Sequence, residues 1–209
     1  MRSHAPETAV KNLKQFVQAG YKRYFFVDNT FNLPPSYAAA LCDGIVSAGL
    51  DISWQGIIYP TRLEETVVEK MAAAGCSGAS VGFENANDCV LSAMNKKYGK
   101  DEIRRLSDML YRHGIGRMGF LLLGGPGETR ETVRESIAFA ESLELETVKL
   151  TAGIRIYPAT PLAETARKKQ MIDPDDSLLE PTFYIEPDLD GWLQDTIAEA
   201  IEKNPGWMP

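Results

Sequence analysis

Runs rich in β-branched and aromatic residues return about every 30 residues along the chain, the length of one strand plus a crossover helix. They are Tyr24 to Val27, Ile52 to Ile58, Ala79 to Phe83, Met118 to Leu123 and Val148 to Ile156, and each is a strand candidate. No Asn-Gly hairpin signal stands between them, so consecutive strands should pair in parallel through right-handed crossovers. The near-continuous apolar run over residues 119–125 suits a strand covered on both faces. The fold class is therefore α/β, either an open doubly wound sheet or a barrel or partial barrel. Both place ligands beyond the carboxyl ends of the strands.

The intervening segments carry helix starts and stops. Pro6 and Glu7 open a helix with Val10, Leu13 and Val17 on one face, closed at Gly20. Thr61 with Glu64 fits a capping box ahead of Val67 and Met71, and Gly75 ends that run. Ile103, Leu106 and Leu110 repeat the pattern to Gly114, and Thr129 and Thr160 stand as caps of two further helices. After about residue 171 the pattern weakens into an acidic turn, an extended stretch Phe183-Tyr184-Ile185 and a short helix near Trp192 to Glu202. The expected organisation is a core over 1–171 and a C-terminal extension over 172–209 packing on it. One anomaly stands out: the first clear element is a helix while every later unit begins with a strand, as if an initial strand were missing.

At 209 residues, 44% of them apolar, the chain has material for one domain with a sizeable core. No stretch approaches the roughly 18 to 20 consecutive apolar residues of a membrane span, and residues 1–10 lack a signal peptide's apolar run. The cytoplasm is the default compartment, and a membrane is not an expected partner. The formal net charge of −7 repels a phosphate backbone, so nucleic acid is not expected either. Lys96, Lys97, Lys100, Arg104 and Arg105 alternate with Asp101 and Glu102 and read as one solvated helix face. The three cysteines, Cys42, Cys76 and Cys89, form no Cys-x2-Cys or Cys-x3-Cys pair, so no metal site is expected from them. Cys42 and Cys89 sit among apolar neighbours and read as small core residues.

The polar and glycine residues that carry chemistry cluster at strand ends. The first strand runs into Asp28-Asn29-Thr30-Phe31-Asn32, which suits either an acceptor set for a ligand's ammonium group or an Asx-type turn before Pro34 and Pro35. The third ends in Gly82-Phe83-Glu84-Asn85, with Glu84 either a site carboxylate or a helix N-terminal charge. The fourth leads into Gly124-Gly125-Pro126-Gly127-Glu128-Thr129, where glycines allow close backbone approach and exposed N–H groups, or simply a tight turn. Arg155, in an otherwise apolar strand, is too costly to bury unpaired and should meet a carboxylate of the protein, such as Glu84, or of a ligand.

Taken in order, Asp-Asn-Thr-Phe-Asn, Trp54, Gly-Phe-Glu-Asn, Gly-Gly-Pro-Gly-Glu-Thr and Arg-Ile-Tyr-Pro-Ala-Thr-Pro-Leu, spread over roughly residues 6 to 185, resemble the radical S-adenosylmethionine (radical SAM) superfamily. The nearest likeness is to the branch often fused to a cobalamin-binding domain. The resemblance implies a partial (β/α)6 TIM-like barrel, here missing its first strand, with S-adenosylmethionine lying across the strand ends. By position, Asp28, Asn29 and Thr30 would meet its methionine amino group. Glu84 would lie near the ribose or carboxylate, Leu123, Gly124 and Gly125 would flank the adenine, and Arg155 would face cofactor or substrate. Glu128 looks more like a structural turn residue.

The departure is equally definite. The family's Cys-x3-Cys-x2-Cys loop, whose thiolates hold a 4Fe-4S cluster, has no counterpart here, and Met1 falls almost where the family would continue after that loop. The resemblance implies the C-terminal part of a radical SAM core that binds S-adenosylmethionine at the strand ends and, with the missing cluster segment, would generate a 5′-deoxyadenosyl radical or support a cobalamin-dependent radical reaction such as methyl transfer on a small-molecule substrate. No catalytic residue is assigned, and the chain is expected to be inactive alone because its cluster ligands belong to a missing N-terminal segment. Cobalamin would be held by an absent N-terminal domain. Two other readings stand beside it: a non-catalytic remnant with a binding or scaffold role, and a Schiff-base lyase built on Lys149 in a late strand.

Overall fold

The computed structural model describes residues 4–61 and 63–209; Met1, invoked above, lies outside the described residues. Helix α1 (Pro6–Gln18) leads into strand β1 (Arg23–Phe26), and helices and strands then largely alternate. The succession is α2 (Pro35–Ser47), β2 (Ser53–Ile58), α3 (Glu65–Ala73), β3 (Cys76–Glu84), α4 (Asp88–Ala93), α5 (Lys100–Arg112), β4 (Gly116–Leu123), α6 (Arg130–Ser142) and β5 (Thr147–Ala152). The chain finishes with β6 (Ile154–Arg155), α7 (Pro161–Lys168), β7 (Phe183–Tyr184), α8 (Trp192–Lys203) and β8 (Trp207–Met208). The main sheet has the order β1-β2-β3-β4-β5-β8, and β6 and β7 form a second, two-stranded sheet. β1 with β2, β2 with β3 and β5 with β8 are parallel, whereas β6 and β7 are antiparallel. The α/β class follows from the crossover helices as expected.

Several local expectations need correction. The fifth strand is split at Gly153, which adopts φ 79°. Its amide donates to the Leu123 carbonyl at 2.7 Å, and a Cβ there would lie 3.0 Å from the Tyr184 carbonyl oxygen, so close backbone packing breaks the strand. The Thr61–Glu64 capping box does not form: α3 starts at Glu65, three residues later than a Thr61 cap requires, with Glu64 as an N-cap whose side chain makes no capping bond. Thr160 does cap α7 through the Ala163 amide, and Thr129 accepts from the Thr132 amide ahead of α6. Cys89 is exposed, not core, because it lies on the outer side of the short α4. Lys96 does not belong to a solvated helix face. It precedes α5 and binds the Glu84 carboxylate at 3.0 Å.

The chain divides into two compact units. The first runs to Phe83 and adds Lys100–Gly119 and Leu143–Thr147. Its core is organised by Trp54, which is 0% exposed. The indole ring meets Phe26 edge-on at 5.0 Å and Phe31 at 4.5 Å, while Nε1 donates to the Ala74 carbonyl at 2.9 Å. Arg117, buried on β4, is fully paired there. Its guanidinium donates to Ser107, to the Leu143 and Glu144 carbonyls, and to the Glu146 carboxylate. The second unit holds Glu84–Gly99, Phe120–Ser142 and Val148–Pro209. In it Ile156, Ala163, Ala166, Ile172, Leu178 and Tyr184 pack as one cluster, so Ile172, Leu178 and Tyr184 share apolar packing with α7.

Two outcomes follow. Trp54→Ala should lower unfolding stability by about 3–5 kcal/mol, through the lost aromatic packing and an orphaned Ala74 carbonyl; chemical denaturation of the two proteins measures it. Partial burial acts to raise the Glu146 pKa, but the Arg117 hydrogen bonds outweigh it and the net shift is downward. A depressed carboxyl contributes stability above its unfolded pKa and loses it as pH falls through the folded value. Glu146→Gln should therefore be less stable than the wild type at neutral pH, and the difference should vanish on acidification below the folded pKa.

Candidate ligand site at the strand ends

In the first unit, the segment after β1 separates into two inward and three outward residues. Phe31 is buried against Trp54. Asn32 is 0% exposed; its Nδ2 donates to the Tyr59 carbonyl at 2.9 Å and its Oδ1 accepts the Tyr59 amide at 2.8 Å. That two-point clamp copies a strand ladder and ties the segment to the end of β2. It takes the Asn32 side chain out of any local Asx-type turn before Pro34 and Pro35. Anchored this way, Asp28 and Asn29 are exposed and Thr30 is half-buried. Among the described residues their side chains make no hydrogen bond or ion pair. They line a hollow of ≈ 640 Å³ together with Phe25, Val27 and Tyr37, within the size range of small-molecule sites. Burial first, and then the charge of Asp28, push the Tyr37 phenol pKa up.

In the second unit, a buried carboxylate organises the glycine turn. Glu128 is 3% exposed; its Oε2 accepts the amides of Gly124 and Gly125 at 2.6 and 2.7 Å, and its Oε1 accepts Asn85 Nδ2 at 2.6 Å. Burial raises the Glu128 pKa against the lowering effect of those bonds. Gly124 takes φ 93°, and a Cβ there would come within 2.8 Å of a Leu193 methyl, so a side chain is excluded on both counts. The glycine amides are consequently not open to a ligand, contrary to the exposed N–H groups expected. Two are taken by Glu128 and the third, on Gly127, donates to Glu186 at 3.0 Å. Leu123 is fully buried.

Glu84, which ends β3, adopts φ 61°, a left-handed conformation that costs a non-glycine residue on the order of 1–3 kcal/mol and persists where its surroundings hold it. The next residue, Asn85, supplies that hold through Glu128. The Glu84 carboxylate pairs with Lys96, not with Arg155. Arg155 is exposed, with its guanidinium 4.8 Å from the Tyr157 ring centroid; among the described residues it meets no carboxylate. Of the two partners expected for Arg155, a protein carboxylate such as Glu84 is thus not found, because on the short β6 Arg155 faces outward. Glu84, Leu123, Gly124 and Gly125 are drawn together by the Asn85–Glu128 link, while Asp28, Asn29 and Thr30 form their own group in the first unit. Lys149 lies in the middle of β5, opposite Met208 of β8, partly exposed and on the face opposite the buried Val148 and Leu150. Sequence reasoning missed Lys96 and Glu186; nothing in their spacing marked either as a partner of the site. The Asn85–Glu128 bond had a signal, since both residues stood in the motifs already singled out.

Parallel strands linked by crossover helices, with polar groups at their carboxyl ends, define an α/β protein of the partial-barrel type. A profile described as the Radical SAM superfamily matches residues 1–140, and the chain belongs to that superfamily. It is 30% identical over 166 residues to an uncharacterized methyltransferase of Pyrococcus horikoshii, covering 79% of this chain and 36% of that protein. It is 25% identical over 170 residues to a tryptophan 2-C-methyltransferase of Streptomyces laurentii, covering 75% and 28%. The fold matches the radical S-adenosylmethionine methyltransferase TsrM of Kitasatospora setae, solved with tryptophan and aza-SAM, with TM-score 0.82 and 22% identity over 97% of this chain and 47% of that one. The 209 residues thus span about a third of the curated relatives and just under half of the structural one.

The family's cofactors are S-adenosylmethionine and a 4Fe-4S cluster. For the first, the outward Asp28–Thr30 group and its hollow supply unclaimed acceptors for an ammonium. For the cluster, the residues present do not fit. Cys42 and Cys76 are buried and their thiols are pushed up to about 12 by burial, whereas iron requires thiolates. Cys89 stands exposed, and the described residues contain no group of three or more His, Cys, Asp or Glu placed to hold a metal ion.

Glu128→Gln should destabilise the chain by about 1–3 kcal/mol, because the new amide sets a donor against Asn85 Nδ2 inside a buried site. In the wild type, carbon-detected NMR titration should find the Glu128 carboxyl titrating above the ordinary carboxylate value; a value below it would contradict the dominance of burial.

Proposed function

We propose that these 209 residues form the S-adenosylmethionine-binding part of a radical SAM core of the kind found in cobalamin-dependent methyltransferases. The observation that carries this reading is the coincidence of the superfamily match with three unclaimed polar side chains, Asp28, Asn29 and Thr30, at the end of a parallel strand. In the proposal these receive the methionine amino group, with the Asp28 carboxylate giving the one charge-assisted bond. In the second unit Glu84 meets the ribose or carboxylate, the backbone of Leu123, Gly124 and Gly125 flanks the adenine, and Arg155 faces cofactor or substrate. The cluster supplies the electron that cleaves the sulfonium in this family; no group among the described residues is placed to hold it, so the chain's proposed part is to bind and orient, and alone it should not react. Cobalamin, where used, is held outside these residues.

We further propose a small-molecule substrate, methyl transfer as the reaction class of the complete core, and residues 172–209 as an extension of a core over 1–171. The net charge of −7 supports a partner other than nucleic acid. Three free cysteines support a reducing, cytoplasmic setting, and no described helix is long and apolar enough to cross a membrane.

Isothermal calorimetry of the purified chain against S-adenosylmethionine should give saturable binding. Asp28→Asn should weaken it about tenfold, equivalent to ~1.4 kcal/mol, without changing the unfolding midpoint. Absence of binding heat in the wild type would reject the proposal. Binding unaltered in Asp28→Asn would reject the assigned role of this strand end.

A further inference from the structure

Gly124–Gly127 is held from two sides, and only one of them belongs to the turn's own sequence. Glu128 fills the inner side. The outer side is closed by Glu186, which follows β7 and is separated from Gly127 by 59 positions. The Glu186 amide donates to the Gly124 carbonyl at 2.9 Å, and its Oε2 accepts the Gly127 amide at 3.0 Å. One residue therefore grips both ends of the turn. The same Oε2 accepts the Tyr184 hydroxyl at 2.8 Å, and Oε1 pairs with Lys169. Lys169 lies 5.5 Å from the centroid of the Tyr184 ring, and Tyr184 itself is 0% exposed. The Glu186 side chain, 15% exposed, is thus fixed by a buried phenol and a cation before it reaches the turn. Partial burial acts to raise its pKa, but Lys169, the Gly127 amide and Tyr184 hold it below the ordinary value, so the acceptor stays charged.

We propose that Glu186 is a positioning residue that presets the glycine turn for the adenosine end of the ligand, so that the C-terminal extension takes part in ligand recognition. This rests on the functional reading above, in which the turn flanks adenine. Glycine-rich backbone loses the most conformational freedom on ordering, and a turn already ordered spares the ligand that cost on binding. Glu186 touches the turn, not the ligand, and acts through it.

The test uses the full chain with Glu186→Ala, Glu186→Gln and the wild type, and has two readouts. In amide exchange, the Gly127 N–H of Glu186→Ala should exchange at least tenfold faster. Glu186→Gln, which keeps an oxygen acceptor, should fall between that variant and the wild type. In calorimetry, the affinities of Glu186→Ala for S-adenosylhomocysteine and for 5′-methylthioadenosine should both fall by about tenfold and by the same factor, because the loss sits at the adenosine end. Wild-type exchange at Gly127 in Glu186→Ala would overturn the hold on the turn. Faster exchange with unchanged affinities, or a loss confined to S-adenosylhomocysteine, would overturn its role in recognition. A wild-type chain that binds neither ligand would overturn the functional reading itself, and the exchange result would still decide the hold.

Discussion

The buried carboxylate of Glu128 takes three donors at once, and the carboxyl-terminal half of the chain is shaped around it. Two of those donors are the glycine amides that close the turn after β4, and the third is Asn85, one residue beyond the strained end of β3. A carboxylate can be kept at 3% exposure only if nearly all of its acceptor capacity is used. That demand makes the turn and the end of β3 a single construction. Exchanging Glu128 for an apolar residue would relieve its desolvation but leave the Asn85 amide and two glycine amides without acceptors. The left-handed Glu84, held beside this link, then presents its carboxylate to Lys96.

The first unit solves the matching problem with different chemistry. There Asn32 copies a strand ladder with its side-chain amide while Phe31 fills the space over Trp54. These two inward residues take up the apolar and hydrogen-bonding capacity of the segment, and Asp28, Asn29 and Thr30 are left outward with no hydrogen-bond partner among the described residues. The shared logic is that a structural side chain fixes each strand end so that neighbouring groups need not. What differs is the result. One strand end offers unclaimed polar groups, and the other offers ordered backbone whose amides are already committed.

Much of this was legible in the sequence because strand-helix alternation is written in apolar periodicity, which burial on the sheet enforces. The strand ends were legible as well, since short polar and glycine residues at such points depart from that periodicity. What the sequence did not reveal was the direction of each side chain. Arg155 looked buried because its neighbours are apolar, yet a two-residue edge strand turns it outward onto Tyr157. Cys89 looked internal for the same reason, and a short helix placed it at the surface. Glu186 gave no signal, since it sits in an irregular stretch whose partners are distant in the chain. The glycine run suggested free amides, and only the geometry of Glu128 and Glu186 shows them taken.

If the Asp28–Thr30 strand end receives the amino group of an S-adenosylmethionine-type ligand, a crystal structure of the chain with S-adenosylhomocysteine bound will show the ligand's amino nitrogen within hydrogen-bond distance of Asp28, Asn29 or Thr30. An amino group seated elsewhere, or crystals grown at saturating ligand with none at this strand end, would contradict it.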